Sequence, residues 1–315
     1  METIQVCPVC GGRRHRKIFE RTLTVDPAAR AGDQAFANFV LCHVLQSESI
    51  TASLNLCKSC YFVFYDKQYS EAEIHRFYNR EHYENVRKFW PDFARYSESD
   101  LQTIAVNQKL RAEGIYQRIA AAIPGWAPAT ALDFGGSDGL NMLGLPDATR
   151  KFVFDLSTET SRHGVTKLRD IESGGPYDLV MTTHVLEHVP DVTKQWDALV
   201  DVTAPGGHLY VEVPLDFIYQ VRAKPGLGAN EHIQFFTQTS LRYLGRRSGL
   251  KPLFIRVENH AYSTGKTLSI CALYQKPAQS RLAQKASVSW LDFASECAQY
   301  LAMFVRNKAA RLLRR

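Results

Sequence analysis

The spacing of apolar residues changes along the chain. In the middle of the chain, segments with the pattern of a strand alternate with segments with the pattern of a helix. Between residues 129 and 214, short apolar runs rich in β-branched and aromatic residues are separated by segments with helical spacing. The runs are ATALDFG, KFVFDLS, YDLVMTT and GHLYVEVP. Continuous apolar strands that alternate with helices are typical of a parallel sheet covered on both faces. We therefore predict a doubly wound, Rossmann-like α/β sheet.

Segments around these strands predict helices and a hairpin. NQKLRAEGIYQRIAAAI keeps a period near 3.6 residues until Pro124 ends it, and VTKQWDALVDVTA does the same between two strands. FIRVEN and LSICALY predict a closing β-hairpin. The tail from about residue 286 predicts a helix packed on the domain or on a second subunit. The residues on its apolar face are Trp290, Phe293, Cys297, Leu301 and Phe304.

The first strand runs into a glycine-rich, acidic turn, LDFGGSDG, where doubly wound sheets usually contact a nucleotide cofactor. A nicotinamide fingerprint fails because two of its glycine positions hold Ser137 and Leu140. Asp133 and Asp138 would also repel a pyrophosphate. S-adenosylmethionine carries a sulfonium and an ammonium and no phosphate. The turn therefore favours this cofactor over a dinucleotide.

A further acidic residue stands in register with this turn. Asp155 closes the second strand 20 residues beyond Gly135, the distance at which a carboxylate accepts hydrogen bonds from ribose hydroxyls. An ordinary structural turn explains a lone glycine loop equally well. The combination of turn and carboxylate favours the cofactor site.

Four motifs in this order resemble the class I S-adenosylmethionine-dependent methyltransferases over residues 126 to 275. LDFGGSDG is similar to their Asp/Glu-x-Gly-x-Gly-x-Gly loop, with Ser137 at the middle glycine, and VFDLS to their ribose site. YDLVMTTHVLEHVPD resembles their fourth strand with the segment that borders adenine and the methyl centre, and APGGHLYVEVP their fifth. The resemblance implies S-adenosylmethionine as methyl donor. The implied contacts are Asp133, Gly135, Gly136, Ser137, Asp138, Gly139, Asp155, Leu156, Thr183 and His184.

Two Cys-x-x-Cys knuckles precede this region, at Cys7 with Cys10 and at Cys57 with Cys60. Each knuckle directs two sulfurs toward one point, and Zn²⁺ accepts four thiolates in a closed structural site without an activated water. The insert of 46 residues also contains rival ligands in CH, residues 42–43. We expect a structural zinc ion, with Cys42 or His43 left open as further ligands.

The knuckles, together with YSEAEIHRFYNREHYE, resemble the zinc-binding leader of bacterial sugar methyltransferases, whose tyrosine-containing segment folds over the active site. By that analogy Tyr78 and Tyr83 are lid candidates; aromatic residues on an amphipathic helix explain them equally well. We accordingly divide the chain into four parts. They are a zinc-ribbon-like module (1–66), a helical lid or linker (67–125), the methyltransferase domain (126–277) and a C-terminal amphipathic helix (278–315).

The acceptor side is indicated by GANEHIQFF. It resembles the Glu-His-x-x-Phe/Tyr-Phe segment that deoxysugar C-methyltransferases use in proton abstraction, which implies His232 as base and Glu231 as its partner. Those enzymes carry a tyrosine where this chain has Ala229, so we expect O-methylation of a sugar, glycan or related hydroxylated metabolite over C-methylation. His188 is a second catalytic candidate. His232 could instead cap the following helix or pack near the sheet.

One further motif, His-x-x-Glu-His at residues 184–188, is a zinc-peptidase pattern when it lies inside a helix. Here it follows a predicted strand and ends at Pro190, so we do not read it as a peptidase site.

Charge and composition narrow the partners. The net charge of +6 is mild for 315 residues, and nucleic acid is not indicated. An RNA methyltransferase and a non-catalytic S-adenosylmethionine-binding module are the alternatives to a small-molecule enzyme. The N-terminus lacks a secretory pattern, which favours the cytoplasm. The basic, apolar-faced tail predicts weak contact with an anionic membrane surface or an oligomer interface.

Overall fold

The computed structural model describes residues 1–29, 32–78, 98–157, 160–217, 232–262, 265–279 and 286–312. The strands in these ranges are β1 (Glu2–Thr3), β2 (His15–Thr24), β3 (Ser49–Cys57), β4 (Val63–Tyr65), β5 (Lys67–Gln68), β6 (Thr130–Phe134), β7 (Arg150–Phe154), β8 (Val165–Lys167), β9 (Tyr177–Thr183), β10 (Thr203–Pro214), β11 (Gln234–Phe235), β12 (Lys251–Tyr262) and β13 (Gly265–Gln275). The helices are α1 (Gly32–Phe39), α2 (Glu71–Tyr78), α3 (Glu98–Ala122), α4 (Val192–Val202), α5 (Gln238–Arg247) and α6 (Trp290–Leu312).

Seven strands form the central sheet in the order β12-β13-β10-β9-β6-β7-β8. Neighbours from β10 to β8 pair in parallel, and β13 and β12 close the edge as an antiparallel hairpin. The chain order reverses at β6, which lies between β7 and β9. The prediction of a doubly wound Rossmann-like sheet is confirmed, as are the two predicted helices within α3 and α4 and the hairpin. Ligands of such sheets bind beyond the carboxyl ends of the strands at this reversal.

Helix α4 is held on the central sheet by its N-terminal cap and by a buried tryptophan. Asp191 caps its N-terminus by accepting the backbone N–H of Lys194 at 2.9 Å. Trp196 on its inner face is fully buried, and its indole N–H donates to the hydroxyl of Ser248 at 2.9 Å. Burial of such a side chain stabilises the fold by about 2–3 kcal/mol. The polar indole tip therefore has a partner although the ring is inside the core.

A second, antiparallel sheet contains the N-terminal strands in the order β11-β4-β3-β2. Its edge strand β11 comes from the segment between β10 and α5 of the methyltransferase region, and it pairs with β4 through Gln234 opposite Phe64 and Phe235 opposite Val63. The N-terminal module therefore extends its sheet with residues that follow His232 directly.

The C-terminal helix α6 packs on the domain, as predicted, through a face that is partly the predicted one. Phe293 stacks on Tyr61 with ring centroids 4.9 Å apart, whereas Trp290 and Leu301 are 65% and 64% exposed. Cys297 is half-buried, and the side chain of Phe304 lies outside the described residues. The predicted face was wrong at Trp290 and Leu301, because the buried residues of the helix are Glu296 and Tyr300. No helix in the described ranges is both long enough and apolar enough to cross a membrane.

The docking contact is made by Glu296, which is buried at the N-terminus of α5. Its carboxylate accepts the backbone N–H groups of Gln238 at 2.6 Å and Thr239 at 2.9 Å, together with the Thr239 hydroxyl at 2.7 Å. The hydroxyl of Tyr300 donates to the same carboxylate. A carboxylate at this position satisfies the free N–H groups of the helix and favours its dipole.

We predict that Glu296→Gln lowers the free energy of unfolding by about 1–3 kcal/mol, because an amide cannot accept these charged hydrogen bonds on both atoms. Denaturant unfolding measures the change. Glu172→Gln, at an exposed position, is the matched control. Equal stability of the two variants would show that the carboxylate does not hold the helix.

Candidate active site

The turn after β6 contains two positions that only glycine can occupy without strain. Gly135 has φ +73° and donates its N–H to the carbonyl of Phe154 at 2.7 Å. A Cβ there would stand 2.3 Å from Cγ2 of Val185. A Cβ on Gly136 would stand 2.1 Å from Oδ2 of Asp133. The turn is packed directly against the strand-end residues, so substitutions would force it outward.

Asp155 is fixed beside this turn by two backbone donors. Its Oδ2 accepts the N–H of Ser137 at 2.8 Å, and its Oδ1 accepts the N–H of Ser157 at 2.7 Å. Ser137 itself has φ +52°, which turns its N–H toward the carboxylate. Each carboxylate oxygen keeps a second lone pair for another donor. The neighbouring Leu156 is 54% exposed beside it.

Asp133 is fully buried below the turn. Its Oδ2 accepts the side-chain N–H of Asn141 at 3.1 Å, and the same amide reaches the Thr183 hydroxyl at 3.0 Å. Its Oδ1 has no hydrogen bond within the described residues. Burial raises the pKa of Asp133 to about 7, against the opposing effects of Asn141 and Arg111. A nearby cationic ligand would stabilise its charged form.

Asp138 and Gly139 complete the turn differently. The carboxylate of Asp138 accepts the N–H of Leu140 at 3.0 Å and pairs with Arg162 at 2.8 Å. Its charge is therefore partly neutralised, a pairing that the sequence analysis missed. Gly139 has φ +85°, and a Cβ there would lie 2.8 Å from Cγ1 of Val165.

His184 lies at the end of β9, on the opposite side of the turn. It has φ +55°, and its N–H donates to the carbonyl of Glu212 at 2.8 Å. The ring reaches Ser269 Oγ through Nε2 at 3.1 Å and stands 3.4 Å from the Glu212 carboxylate. His184 is thus held by its backbone to β10 and by its ring to β13.

The Glu212 carboxylate is a buried ionic centre that sequence reasoning missed. Arg111 donates to Oε1 at 3.0 and 2.8 Å, and Arg118 donates to Oε2 at 2.9 Å. Burial opposes ionisation, but Arg111 and His184 hold the pKa of Glu212 well below its usual range. Burial lowers the pKa of His260, 3.3 Å away, to about 4. An acid within the apolar run GHLYVEVP was the available signal.

The acceptor side contains His188 and His232, with ring centroids 4.6 Å apart in an edge-to-face arrangement. Asp216 is the structural partner of His232, with Oδ2 2.5 Å from Nδ1. Thr237, and not His232, caps α5. The predicted partner Glu231 lies outside the described residues.

The side chains of the two lid candidates also lie outside the described residues. Tyr78 ends α2, but its side chain is not described, and Tyr83 lies beyond the described residues. Their placement over the site stays a prediction.

Glu187 stands between the histidines and is fully buried. Its Oε1 lies 3.5 Å from His184 Nδ1 and 3.9 Å from His188 Nε2. Burial raises the pKa of its carboxyl, against His184 and His232, which lower it. The segment after β9 thus brings Glu187 together with His184 and His188.

The four predicted knuckle sulfurs come together in one cluster. Cys7 and Cys60 have their Sγ atoms 3.5 Å apart, as do Cys10 and Cys57, and all four lie within 4.8 Å of one another. Sulfurs about 2.3 Å from one tetrahedral metal would be about 3.8 Å apart. The cluster fits such an ion, and residues 42–43 are not part of it.

The cluster is also joined to the acceptor side through the backbone. Tyr61, in the second knuckle, accepts the Thr237 hydroxyl on its carbonyl at 3.0 Å. In β4, the N–H of Tyr65 donates to the carbonyl of Ile233 at 3.1 Å. Strand β4, which follows the second knuckle, therefore contacts the segment that begins at His232.

Comparisons with known proteins agree with this architecture. Residues 106–253 match a family model described as a methyltransferase domain. The comparison with curated proteins finds no match. Three solved structures share a low similarity with the chain. An N-methyltransferase from Bradyrhizobium japonicum has 19% identity over 52% of this chain and 86% of its own, with a TM-score of 0.38.

The second is the 1,6-didemethyltoxoflavin-N1-methyltransferase of Burkholderia thailandensis, with 16% identity over 53% of this chain and 79% of its own, at a TM-score of 0.41. The third is the magnesium protoporphyrin IX methyltransferase of Synechocystis, with 15% identity over 66% of this chain and 100% of its own, at a TM-score of 0.44. The family match and the glycine turn on a doubly wound sheet identify residues 106–253 as a methyltransferase domain.

We predict that S-adenosylmethionine binds more tightly as the pH rises from 6 to 8, by about tenfold, because the cation requires the ionised form of Asp133, whose pKa is about 7. Calorimetry in two buffers of different ionisation enthalpy should detect proton release on binding below pH 7. Asp133→Asn should weaken binding and flatten the profile, whereas the exposed Asp147→Asn should change neither. Binding without proton release, in the wild type, would contradict this role.

Proposed function

We propose that the chain transfers the methyl group of S-adenosylmethionine to a hydroxyl oxygen of a sugar, glycan or related small hydroxylated metabolite. The observation that carries the proposal is the oriented pair of His232 and Asp216 beside His188, which follows Val185, a residue packed against Gly135 of the turn, by three positions. A carboxylate on one ring nitrogen fixes a histidine in the tautomer whose other nitrogen accepts a proton. The sugar acceptor is supported by the resemblance of the leader and of the GANEHIQFF segment.

The residues of the turn fit the cofactor. Asp155 keeps lone pairs for hydroxyl donors, and Asp133 has a buried oxygen without a partner in the described chain, which suits a cationic ligand. When bound, S-adenosylmethionine supplies an electrophilic methyl group. The chain must then align the acceptor oxygen, exclude water and remove one proton. We assign His232 and His188 to the acceptor side, where that proton leaves.

We further propose that the module of residues 1–66 binds a structural Zn²⁺ through Cys7, Cys10, Cys57 and Cys60. Hydrogen bonding with Cys10, then with Cys57, raises the pKa of the Cys60 thiol, whereas hydrogen bonding with Cys10, then with Cys60, lowers the pKa of Cys57. A divalent cation would stabilise all four sulfurs as thiolates at this distance. The four-cysteine site lies next to β4, the strand that contacts the segment beginning at His232. This position supports a role of the zinc ion in holding that segment in place.

A direct assay tests the enzymatic proposal. Incubation of the full chain with isotope-labelled S-adenosylmethionine and a panel of sugar nucleotides and glycans, followed by mass spectrometry, should give an O-methylated product. Transfer to RNA alone, or binding of the methyl donor without turnover on any acceptor in a cell extract, would contradict the proposal.

We predict that His232→Ala lowers turnover by about 10²–10⁴-fold and leaves S-adenosylmethionine affinity unchanged, because the ring contacts the acceptor side only. Asp216→Asn should lower turnover less, in the same direction. His75→Ala, an exposed histidine on α2, is the control. Undiminished turnover of His232→Ala would remove this residue from the reaction.

For the module, we predict that Cys60→Ser contains one zinc ion per chain fewer than the wild type and unfolds at a lower temperature, because a structural site contributes its binding energy to folding. Elemental analysis and thermal unfolding measure the two effects. Cys42→Ser removes an exposed thiol outside the cluster and should retain zinc. Equal zinc content in both variants would contradict the assignment.

A further inference from the structure

The Glu187 carboxylate has no task in the chemistry described above, yet its surroundings are unusual. The side chain is fully buried, and neither oxygen forms a hydrogen bond within the described part of the chain. Burial of a carboxylate without compensation is costly, so buried charges in proteins are paired or coordinate metals. His188 and His232 are the neighbouring groups that could pair with it through a shared ion.

The distances in this cluster suit a cation. One ligand atom each from Glu187, His188 and His232 lie within 4.8 Å of one another. Ligands about 2.1 Å from a metal stand about 3–4.2 Å apart. A contraction of roughly 1 Å or less would therefore bring the cluster to that range. Glu187 and His188 are adjacent in the chain, so their relative position is set by the backbone of one turn.

The surroundings of His232 supply the second element of a metal centre. Metal-ligating histidines usually donate their other ring N–H to a carboxylate, which orients the ring and raises its basicity. Asp216 stands in that position at Nδ1 of His232, 2.5 Å away. The set of two imidazoles and one carboxylate suits Zn²⁺, Mn²⁺ or Fe²⁺. Three protein ligands leave open positions for oxygen atoms of a substrate.

We propose that Glu187, His188 and His232 hold a divalent cation, and that the acceptor completes its coordination with two oxygens, as a vicinal diol or a hydroxyl next to a carbonyl does. This inference rests on the proposed O-methyl transfer and names the acceptor class within it. Coordination lowers the pKa of the reacting hydroxyl, whose proton leaves to water. The methyl carbon leaves the donor sulfur and bonds to that oxygen. His232 then assists by holding the cation instead of taking the proton itself.

A binding experiment on the full chain, with zinc retained at the four-cysteine site, tests this site without an activity readout. Mn²⁺ titration followed by electron paramagnetic resonance should show one saturable site in the wild type. Glu187→Gln keeps the shape of the side chain and should weaken Mn²⁺ binding by at least about tenfold, and Asp216→Asn by about 10–100-fold. The exposed Glu172→Gln is the matched control and should bind as the wild type does.

Two results would overturn the proposal: absence of saturable Mn²⁺ binding and of a second zinc equivalent in the wild type, or unchanged binding in folded Glu187→Gln. Thermal unfolding of each variant confirms that it is folded. The same preparations are assayed for methyl transfer. Turnover that persists in a protein without a second cation would reject the cation and leave the proposed function intact, whereas no turnover with the cation bound would reject the function instead.

Discussion

The backbone of residues 232–235 is hydrogen-bonded on both of its edges, and the acceptor side of the site depends on that constraint. On one edge, the N–H groups of Ile233 and Gln234 both donate to the carbonyl of Glu187, at 3.1 Å each. On the other edge, this segment pairs with β4, the strand that follows the second cysteine knuckle. The Gln234 side chain also donates to Gln68 at 2.6 Å. His232 therefore occupies a position that is set jointly by the N-terminal module and by the loop after β9.

This arrangement gives the N-terminal module a physical role in the methyltransferase site. A loop that carries a catalytic side chain is normally a mobile part of a fold, because it has few backbone partners. Here the loop is completed as an edge strand of a small sheet, and the adjacent knuckles fix that sheet. Catalysis requires side chains to be held precisely in place. Here the loop is held by the N-terminal module, which is far from the cofactor turn in sequence.

Three buried carboxylates at the ends of the central strands are stabilised in three ways. Glu212 is paired with Arg111 and Arg118, and it stays ionised. Asp133 has one oxygen without a partner in the described residues and a pKa raised to about 7, so a cationic cofactor decides its charge. Glu187 lies near His184 and His188. Of the three, Asp133 is the carboxylate whose ionisation a cationic ligand would favour, which supports a sulfonium ligand over a phosphorylated one.

Local features were predictable from the sequence because they depend on short-range chemistry. The strands follow from apolar runs, the turn from Gly135 and its neighbours, and the sulfur cluster from the spacing within each knuckle. Pairings over long separations were not predictable. Asp216 as partner of His232, Arg111 with Glu212, and Glu296 at the start of α5 each join residues whose approach only the tertiary fold sets. The face of α6 was partly misassigned because Glu296, which docks the helix, finds its partners at Gln238 and Thr239 only in the tertiary fold.

Amide hydrogen exchange at Ile233 and Gln234, with and without the metal of the cysteine cluster, tests most directly whether the knuckle module holds the acceptor side. The account predicts slow exchange at both amides in the metal-loaded chain and a rise at both, in step with the knuckle amides, when a chelator removes the metal. Protection at these two amides that is unchanged while the knuckle amides become exposed would contradict it.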